Sequence, residues 1–466
     1  MVAVGEVTGD HLVNFVDAGN QQGRVADDFQ AEFSGQTGQV QGIAQLHEGL
    51  GFESKDKSGP ERTFGGFDPF YFPPNRPSDS EPTPNLLTSI EIPVKPMDST
   101  TVRTTPLHST HQALHAKMVP FAGFDMPVSY SGIKAEHLAV RSACGLFDVS
   151  HMGEFRVNGP GALEFLEKVT SNHVASLFPG RVQYSCMPNG RGGLVDDLLV
   201  YNLAPESYLL VVNAGNLRKD WEWLNSHLPT DGSVVLEDHS DDTALLALQG
   251  PRALEILQPL CDVDLSGLAY YHFTHATVAG IGSVLVSATG YTGAGGFELY
   301  VPCEQATRLW DALMAGGAAR GLVPCGLGCR DTLRLEMGFC LYGNDIDEET
   351  SPIEAGLSWI TSFKKDFIDK DLLLEQKKNG TSRRLVGFVM EDKGIPRHGY
   401  RLCDADGLEI GRVTSGSESI STGRYIGMGY VTAEYAAPGS VVFVENRDRL
   451  LRAVTVRPPF IPSQGS

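Results

Sequence analysis

The chain has 466 residues and a formal charge of −20, from 37 Lys and Arg against 57 Asp and Glu. At about 150 residues per domain, this length predicts roughly three domains. Phosphates would repel so acidic a protein, which disfavours binding to nucleic acid or to an anionic membrane surface. The sequence has no run of about 18 apolar residues, so we expect no membrane-spanning helix.

The N-terminal segment differs in composition from the rest of the chain. Residues 1–96 carry 14 acidic and 6 basic side chains and lack both a secretory apolar region and an Arg-rich presequence. From Ser58 to Pro96 the chain is rich in Pro, Ser and Gly, which favours an extended, poorly ordered segment. We therefore predict that residues 1–100 are a disordered or wrongly assigned extension, with translation starting at either Met1 or Met97.

The cysteines are scattered and form no CxxC pair. This pattern predicts free thiols in a reducing compartment, and hence a cytoplasmic protein with no structural metal site. The eight positions are Cys144, Cys186, Cys261, Cys303, Cys325, Cys329, Cys340 and Cys403.

From Thr101 onward, short β-like runs alternate with amphipathic helical ones. Strands are predicted at Glu154–Val157, Tyr208–Val212 and Ala244–Leu248, and helices at Ala162–Val169, Leu217–Leu228, Ala253–Leu260 and Glu304–Met314. Because helices and strands mix without a strict βαβ period, the pattern favours an α+β fold over a doubly wound sheet.

After about Arg384 the pattern changes to short β-rich segments separated by turns, which predicts a small β-barrel or sandwich. The predicted strands are Leu385–Val389, Tyr400–Cys403, Ile410–Thr414, Gly427–Val431, Val441–Val444 and Ala453–Val456. We therefore expect two α+β subdomains in residues 101–380 and a C-terminal β-barrel domain in residues 381–466.

A glycine-rich turn, Asn189–Gly193, leads into an apolar strand that carries two adjacent carboxylates, Asp196 and Asp197. Successive side chains of a strand face opposite ways, so only one of the two acids can point into a given pocket. The alternative is that both are solvated acids at a strand end. No other ligand cluster accompanies them, so no metal site is indicated.

A second stretch, Thr289–Glu298, interleaves five Gly or Ala residues with hydroxyl groups. Such glycine density allows a ligand to approach the backbone closely, although a purely structural loop is the alternative. The stretch is neither a Walker loop nor a dinucleotide fingerprint. Glu298 enters a strand that looks buried, so its carboxylate needs a partner.

A third stretch, Cys325–Glu336, is typical of a helix entered through small residues. Arg330 and Arg334 lie on one face of it and repel each other mildly, so we expect at least one to meet an anion or a carboxylate. The alternative is a solvated face.

A fourth stretch brings Asp148, Ser150 and His151 close together in sequence. A catalytic triad is assembled by geometry across a fold, and the chain has no GxSxG elbow. Hydrolysis is therefore disfavoured.

Together these segments resemble the aminomethyltransferase, or T-protein, family of the glycine cleavage system over about Thr105 to Pro462. The matching motifs include Thr105–His108, Phe121–Phe124, Phe147–Met152, Gly192–Leu198, Leu248–Pro251, Thr289–Gly293, Gly328–Asp331, Leu341–Asn344, Ser351–Pro352, Ser358–Trp359 and Pro459–Phe460. The resemblance implies an α+β, three-domain, cloverleaf-like folate-binding fold with a C-terminal β-barrel domain. Its central channel would hold tetrahydrofolate.

The resemblance also implies a reaction and a partner. The aminomethyl carbon carried on the lipoyl arm of the H-protein passes to tetrahydrofolate, giving 5,10-methylenetetrahydrofolate, ammonia and the dihydrolipoyl carrier. Tetrahydrofolate would be the co-substrate, with no metal, and no nucleic acid or membrane would take part.

Site residues follow from the family's motifs. The family's catalytic acid falls on Asp196, the acid that pairs with the pterin ring falls on Glu298, and a folate-contacting arginine falls on Arg330. Channel-lining positions fall on Tyr184, Asn213, Tyr271 and Trp359. Two departures stand out: Ala294 occupies a usually acidic position, and the tail lacks the late tyrosine of some members.

Two other functions fit parts of the pattern. One is another folate-dependent one-carbon enzyme of the demethylase type. The other is a non-enzymatic folate-binding factor for iron–sulfur assembly, which is disfavoured because none of the cysteines lies in a Lys-Gly-Cys-Tyr-type motif. A flavin-dependent dehydrogenase would need a flavin domain, which residues 1–96 cannot be.

Overall fold

The computed structural model describes residues 102–447 and 449–462. The predictions for residues 1–100, including the start at Met1 or Met97, lie outside these ranges. The first part of the described chain alternates helices with strands. Its elements are α1 (His108–Ala113), β1 (Lys117–Phe121), β2 (Phe124–Ser129), α2 (Ile133–Ser142), β3 (Cys144–Asp148), β4 (Gly153–Asn158), α3 (Ala162–Val169), β5 (Val182–Pro188), β6 (Leu194–Ala204), β7 (Ser207–Val212), α4 (Leu217–Ser226), β8 (Val235–Asp238) and β9 (Thr243–Gln249).

The second part continues the α+β pattern and ends in strands. Its elements are α5 (Ala253–Leu257), β10 (Phe273–Val278), β11 (Ile281–Ser287), β12 (Gly296–Pro302), α6 (Ala306–Gly317), β13 (Leu322–Cys325), α7 (Leu327–Met337), α8 (Lys370–Asn379), β14 (Arg383–Met390), β15 (Arg401–Cys403), β16 (Glu409–Glu418), β17 (Tyr425–Thr432), β18 (Val441–Asn446) and β19 (Arg449–Val456).

Two sheets form the body of the protein. One has five antiparallel strands in the order β5-β6-β7-β4-β8. The other has six strands in the order β10-β11-β12-β9-β3-β13, with β13 parallel to β3 and the other pairs antiparallel. Strands β1 and β2 form a separate hairpin.

The two sheets face each other across one apolar layer. Tyr201 and Leu209 of the five-stranded sheet pack with Leu285 and Tyr300 of the six-stranded sheet, and the Tyr201 and Tyr300 hydroxyls are 2.9 Å apart. We call the region lined by these four residues the inter-sheet space. The outer faces of the two sheets are covered by helices, α3 and α4 on one side and α5 and α6 on the other. Groups buried between the sheets are thereby held on rigid strands.

The C-terminal strands close into a six-stranded barrel in the order β14-β17-β16-β15-β18-β19. Its interior is filled by apolar residues such as Phe388, Leu402 and Val442. The barrel joins the body at α7, where Arg334 donates to Ser415 Oγ over 2.9 Å.

The strand and helix predictions are confirmed, with differences only at element ends. The predicted helix Glu304–Met314 begins as a 3₁₀ turn, and α6 starts at Ala306. The predicted helix Ala253–Leu260 divides into α5 and a 3₁₀ turn that has Pro259 in its first positions. The α+β class and the C-terminal barrel are likewise confirmed.

Two further features concern the chain as a whole. All eight cysteines lie in the described ranges, and each has a free thiol. Within residues 102–447 and 449–462, no helix combines the length and hydropathy that a membrane span requires.

Candidate active site

The turn before β6 fixes where the paired acids stand. Asn189 Oδ1 accepts hydrogen bonds from the backbone N–H groups of Arg191 and Gly193 over 2.9 and 3.1 Å. A Cβ at Gly193 would lie 1.8 Å from the carbonyl oxygen of Glu348, so this position admits no side chain. The tight turn therefore sets the register of β6 and the faces that Asp196 and Asp197 occupy.

Asp196 faces the helices, on the same side of β6 as Leu198 and Val200. Its side chain has no exposed surface. The carboxylate accepts hydrogen bonds from the Asn213 N–H and Nδ2 over 2.9 Å each, and from Asn216 Nδ2 over 2.6 Å. Asp196 is thus enclosed by the protein.

Asp220 of α4 lies beside Asp196 and is also fully buried. Burial and the charge of Asp196 raise the pKa of Asp220 well above its ordinary value. Among the described residues, neither oxygen of the Asp220 carboxyl has a hydrogen-bond partner. The two buried acids therefore lie side by side without a positive charge bound to either of them.

Asp197 faces the opposite way, on the side of β6 that carries Leu199 and Tyr201. Its side chain is only half-buried. Tyr184 OH donates to Asp197 Oδ2 over 2.8 Å, and Asn213 Nδ2 donates to Oδ1 over 2.9 Å. Burial, followed by the charge of Asp196, raises the pKa of Asp197 to about 7. Of the two acids, Asp197 is therefore the one that faces the inter-sheet space.

Glu298 faces the same space from the opposite sheet. It lies on β12 two residues before Tyr300, and its side chain is 6% exposed. Thr289 Oγ1 donates to Glu298 Oε2 over 2.5 Å. Burial raises the pKa of Glu298, while Thr289 and Arg330 oppose that rise. The carboxylate thus has the hydroxyl partner that its burial requires.

Arg330, on α7, brings a positive charge near Glu298. Its guanidinium lies 4.8 Å from the ring centroid of Tyr291, a cation–π contact. Its Nη1 atom is buried and has no hydrogen-bond partner in the part of the chain that the structure describes. A buried guanidinium N–H without an acceptor is costly, so Arg330 offers an unsatisfied donor to a ligand.

Hydrogen bonds to Gln249 hold the loop that begins at Thr289. Gln249 Nε2 donates to the Thr289 carbonyl over 3.1 Å, and Gln249 Oε1 accepts from Thr292 Oγ1 over 2.8 Å. Gly293 has a φ of +65°, and a Cβ there would lie 2.5 Å from Met337. Ala294, at the family's usually acidic position, is buried. The loop keeps a defined shape without an acid at that position.

The remaining predicted site residues fall into two groups. Tyr184 and Asn213 contact Asp197, and the Trp359 ring lies 6.0 Å from that of Tyr184 with 68% of the residue exposed. Tyr271 lies at the Glu298 end, where burial, Tyr270, Tyr201 and Glu298 raise its pKa well above its ordinary value. Tyr184, Asn213 and Trp359 therefore lie around Asp197, and Tyr271 lies near Glu298.

Sequence reasoning left three contributors out of the site. The family motif assigns the catalytic acid to Asp196 and not to Asp197. Strand alternation shows that the two side chains point to opposite faces of the strand, but it does not show which face looks inward. The neighbouring residues Leu199 and Tyr201 do not indicate from sequence which face of the strand looks inward. Tyr291 lies within the Thr289–Gly293 motif but had no role assigned, and Asp220 lies in no motif; folding brings them to Arg330 and Asp196 respectively.

The expectation that one arginine of α7 meets a carboxylate is confirmed for Arg334. Its Nη1 donates to Asp345 over 2.7 Å and its Nε donates to Asp331 over 2.8 Å. The segment with Asp148, Ser150 and His151 forms no triad. Asp148 instead accepts hydrogen bonds from Thr105 and His111, and His151 Nδ1 has no partner.

The fold defines a class of protein in which an α+β body carries an appended closed barrel. The GCVT N-terminal domain matches residues 107–365, and the glycine cleavage T-protein C-terminal barrel domain matches residues 383–461. The second match coincides with the closed barrel of β14–β19.

Relatives agree along nearly their whole lengths. The aminomethyltransferase of Bacteroides thetaiotaomicron is 57% identical over 361 residues, which are 77% of this chain and 99% of the relative. That of Flavobacterium psychrophilum is 50% identical over 359 residues, again 77% and 99%. The crystal structure of glycine cleavage system aminomethyltransferase T from Bartonella henselae matches with a TM-score of 0.73 and 35% identity, covering 78% of this chain and 99% of that one.

The chain belongs to the aminomethyltransferase family of the glycine cleavage system. It is a tetrahydrofolate-dependent enzyme that transfers the aminomethyl carbon from the lipoyl-bound intermediate to tetrahydrofolate and releases ammonia.

Proposed function

We propose that the inter-sheet space binds tetrahydrofolate between Glu298 and Arg330 at one end and Asp197 at the other. The observation that carries this proposal is the buried Arg330 Nη1, which has no acceptor, beside the Glu298 carboxylate. A pterin ring presents both N–H donors and a carbonyl acceptor, so an adjacent carboxylate and guanidinium suit it. Tyr271 lines the same end.

Within this proposal, Asp197 rather than Asp196 is the carboxylate that contacts the substrate. Asp197 is half-buried and faces the inter-sheet space, whereas Asp196 is enclosed by Asn213, Asn216 and Asp220. Asp196 acts on its neighbour instead. Its charge helps to raise the pKa of Asp197, and both acids share Asn213 as a hydrogen-bond donor. Asp196 is therefore a positioning residue.

The role of Asp197 is proton transfer. Tetrahydrofolate supplies the two amine nitrogens that take up the transferred carbon. Their two protons must leave, and the departing amine and the lipoyl sulfur each take up one. A carboxyl group with a pKa of about 7 is able both to accept and to return a proton near neutral pH. Tyr184 and Asn213 fix its orientation.

We assign no metal to this reaction. Among the described residues, one group of three possible ligands, Glu136, Cys325 and Cys329, has its ligand atoms within 4.8 Å of one another. The carboxylate of Glu136 is already used, because it accepts the backbone N–H groups of Tyr130, Gly132 and Gly326. This donor set suits a structural cap better than a catalytic ion.

The partner we propose is the lipoylated H-protein, whose arm enters beside Trp359. This side chain is the large exposed aromatic of the site, and it lies next to Tyr184, the hydrogen-bond donor to Asp197. Neither nucleic acid nor a membrane takes part. The eight free thiols favour a cytoplasmic location for the reaction.

The test is an assay of ammonia and methylenetetrahydrofolate formation from aminomethylated lipoyl H-protein. We expect Asp197→Asn to lower kcat by about 100-fold or more, because general acid–base catalysis contributes 10² to 10⁴. Asp196→Asn should cost less and should shift the pH profile, since the charge that raises the Asp197 pKa is removed.

Asp220→Asn is the matched control, because it changes a buried acid beside Asp196 without touching Asp197. Its circular dichroism spectrum and melting temperature separate misfolding from loss of chemistry. A larger kcat loss in Asp196→Asn than in Asp197→Asn, in folded protein, would return the catalytic role to Asp196.

A further inference from the structure

A cavity of about 520 Å³ opens between the two sheets, and Leu209, Leu285 and Tyr300 of the inter-sheet space line it. Its floor is apolar and buried, and Leu209, Leu285 and Val301 line it. Tyr300 forms part of its wall, and the Tyr300 hydroxyl is hydrogen-bonded to that of Tyr201. None of the polar residues placed in the proposed folate site, such as Glu298, Arg330 and Asp197, lines this cavity.

One acid stands in this floor without a partner. Glu154 of β4 is 1% exposed, and within residues 102–447 and 449–462 neither of its carboxyl oxygens has a hydrogen-bond partner. Its backbone, by contrast, is fully engaged, with its N–H donating to Ser240 Oγ and its carbonyl accepting from the His239 N–H. A buried polar group left unmatched costs about 1–3 kcal/mol, so the unpartnered carboxyl marks a place for a ligand group.

The surroundings of Glu154 are predominantly acidic. Asp242 and Glu304 lie exposed at the rim of the cavity. Burial, followed by the charges of Glu154, Asp242 and Glu304, raises the pKa of the nearby Cys303 thiol to about 11. Burial and Asp238 raise the pKa of Glu154 itself. A positive charge entering the cavity would relieve this repulsion.

The basic groups of the lining do not cancel this field. Burial lowers the pKa of Arg156, and the charge of nearby Glu237 opposes that change. Burial and Arg156 lower the pKa of His275, which favours its neutral form. His239 Nε2 lies 4.0 Å from Glu237. The negative charges around the cavity are therefore compensated less than the positive charges.

A metal ion fits this cavity poorly. A divalent ion needs several ligand atoms close together. Within the described ranges, the three ligand atoms that come within 4.8 Å of one another belong to Glu136, Cys325 and Cys329, not to the acids around Glu154. Dispersed acids over an apolar floor suit an organic cation instead.

We propose that this cavity binds a small primary ammonium compound with a short apolar body, and that Glu154 is the carboxylate that receives the ammonium group. The apolar body lies against Leu209, Leu285 and Val301, and the rim acids add long-range attraction. Glu154 receives the ammonium group as a carboxylate, in a buried, hydrogen-bonded ion pair.

The test uses n-butylammonium chloride and the full chain, with binding measured by calorimetry and by ligand-observed NMR. We expect saturable binding to the native chain and at least a tenfold weaker affinity for Glu154→Gln, which keeps the shape but loses the charge. Glu304→Gln is the matched control, and its affinity should fall less than threefold, because an exposed rim acid acts through water.

Three results would overturn the proposal: no saturable binding to the native chain, equal binding by Glu154→Gln, or tighter binding of butyrate than of butylammonium. The melting temperature of Glu154→Gln shows whether the variant is folded. Should that variant fail to fold, Leu209→Phe, which fills the cavity, must abolish binding in folded protein for the proposal to stand. Aminomethyl transfer by Glu154→Gln should equal that of the native chain, so the test does not depend on the proposed folate site.

Discussion

Two regions of helix α7 hold arginines one turn apart that have opposite surroundings. Arg334, at the junction with the barrel, donates to Asp331, Asp345 and Ser415. Arg330, which faces the inter-sheet space, touches the Tyr291 ring and has a buried N–H group with no acceptor. The protein supplies hydrogen-bond acceptors to the guanidinium of Arg334, whereas Arg330 Nη1 has none among the described residues.

This difference distinguishes an arginine that stabilises the fold from an arginine that is available to a ligand. A buried charge that the protein satisfies holds elements together, and removing one partner leaves the other uncompensated. A buried donor that the protein leaves open costs stability in the free enzyme and gains an acceptor only when a ligand arrives. Variants of the two regions should therefore fail in different ways.

The largest effect should come from breaking the junction. We expect Arg334→Met to lower the free energy of unfolding by about 3–5 kcal/mol, because Asp345 then keeps a buried charge without its partner. Urea unfolding followed by circular dichroism measures this change. Arg330→Met is the matched control, with a change of less than about 1 kcal/mol in either direction. Equal destabilisation by both variants would remove the distinction drawn between the two arginines.

A second effect at the junction depends on pH. Burial alone would raise the pKa of Glu336, but hydrogen bonds and charge from His137, and hydrogen bonds from Ser421, lower it to about 2. Because the folded pKa lies below the ordinary value of 4.5, the stabilisation is fully present above pH 4.5. It is lost as the pH falls from about 4.5 to about 2.

We therefore expect Glu336→Gln to be less stable than the native chain at pH 7, by about 2 kcal/mol, and the difference to shrink as the pH approaches 2. Urea unfolding at pH 7, 4.5 and 3 measures it. Glu304→Gln, which changes an exposed acid, provides the baseline. A stability difference independent of pH would contradict the stated cause.

The smallest effect should appear at the open arginine, and in binding rather than folding. We expect Arg330→Met to raise the KM for tetrahydrofolate roughly tenfold, since a hydrogen bond to a charged group contributes about 1.5–3 kcal/mol. Steady-state assays at saturating H-protein measure it. Arg330→Lys should recover part of the affinity. An unchanged KM in folded Arg330→Met would place the folate elsewhere.

Sequence predicted the elements well and the site less completely. Alternating and helical patterns located the strand Tyr208–Val212 and the helix Ala162–Val169, because apolar periodicity reflects burial directly. Family motifs supplied Glu298, Arg330 and Tyr184. The choice between Asp196 and Asp197 depends on which face of β6 meets α4, and only packing decides that. No sequence pattern indicated Glu154, because what distinguishes it is a buried carboxyl group without a hydrogen-bond partner among the described residues.

The most direct test of the central claim is a crystal structure of the full chain with tetrahydrofolate. The account predicts the pterin ring between Glu298 and Arg330, with its reacting nitrogens on the side of Asp197 and an acceptor atom within hydrogen-bond distance of Arg330 Nη1. Density for the pterin away from Glu298 and Arg330, for example in the cavity around Glu154, or against Asp196 in place of Asp197, would contradict it.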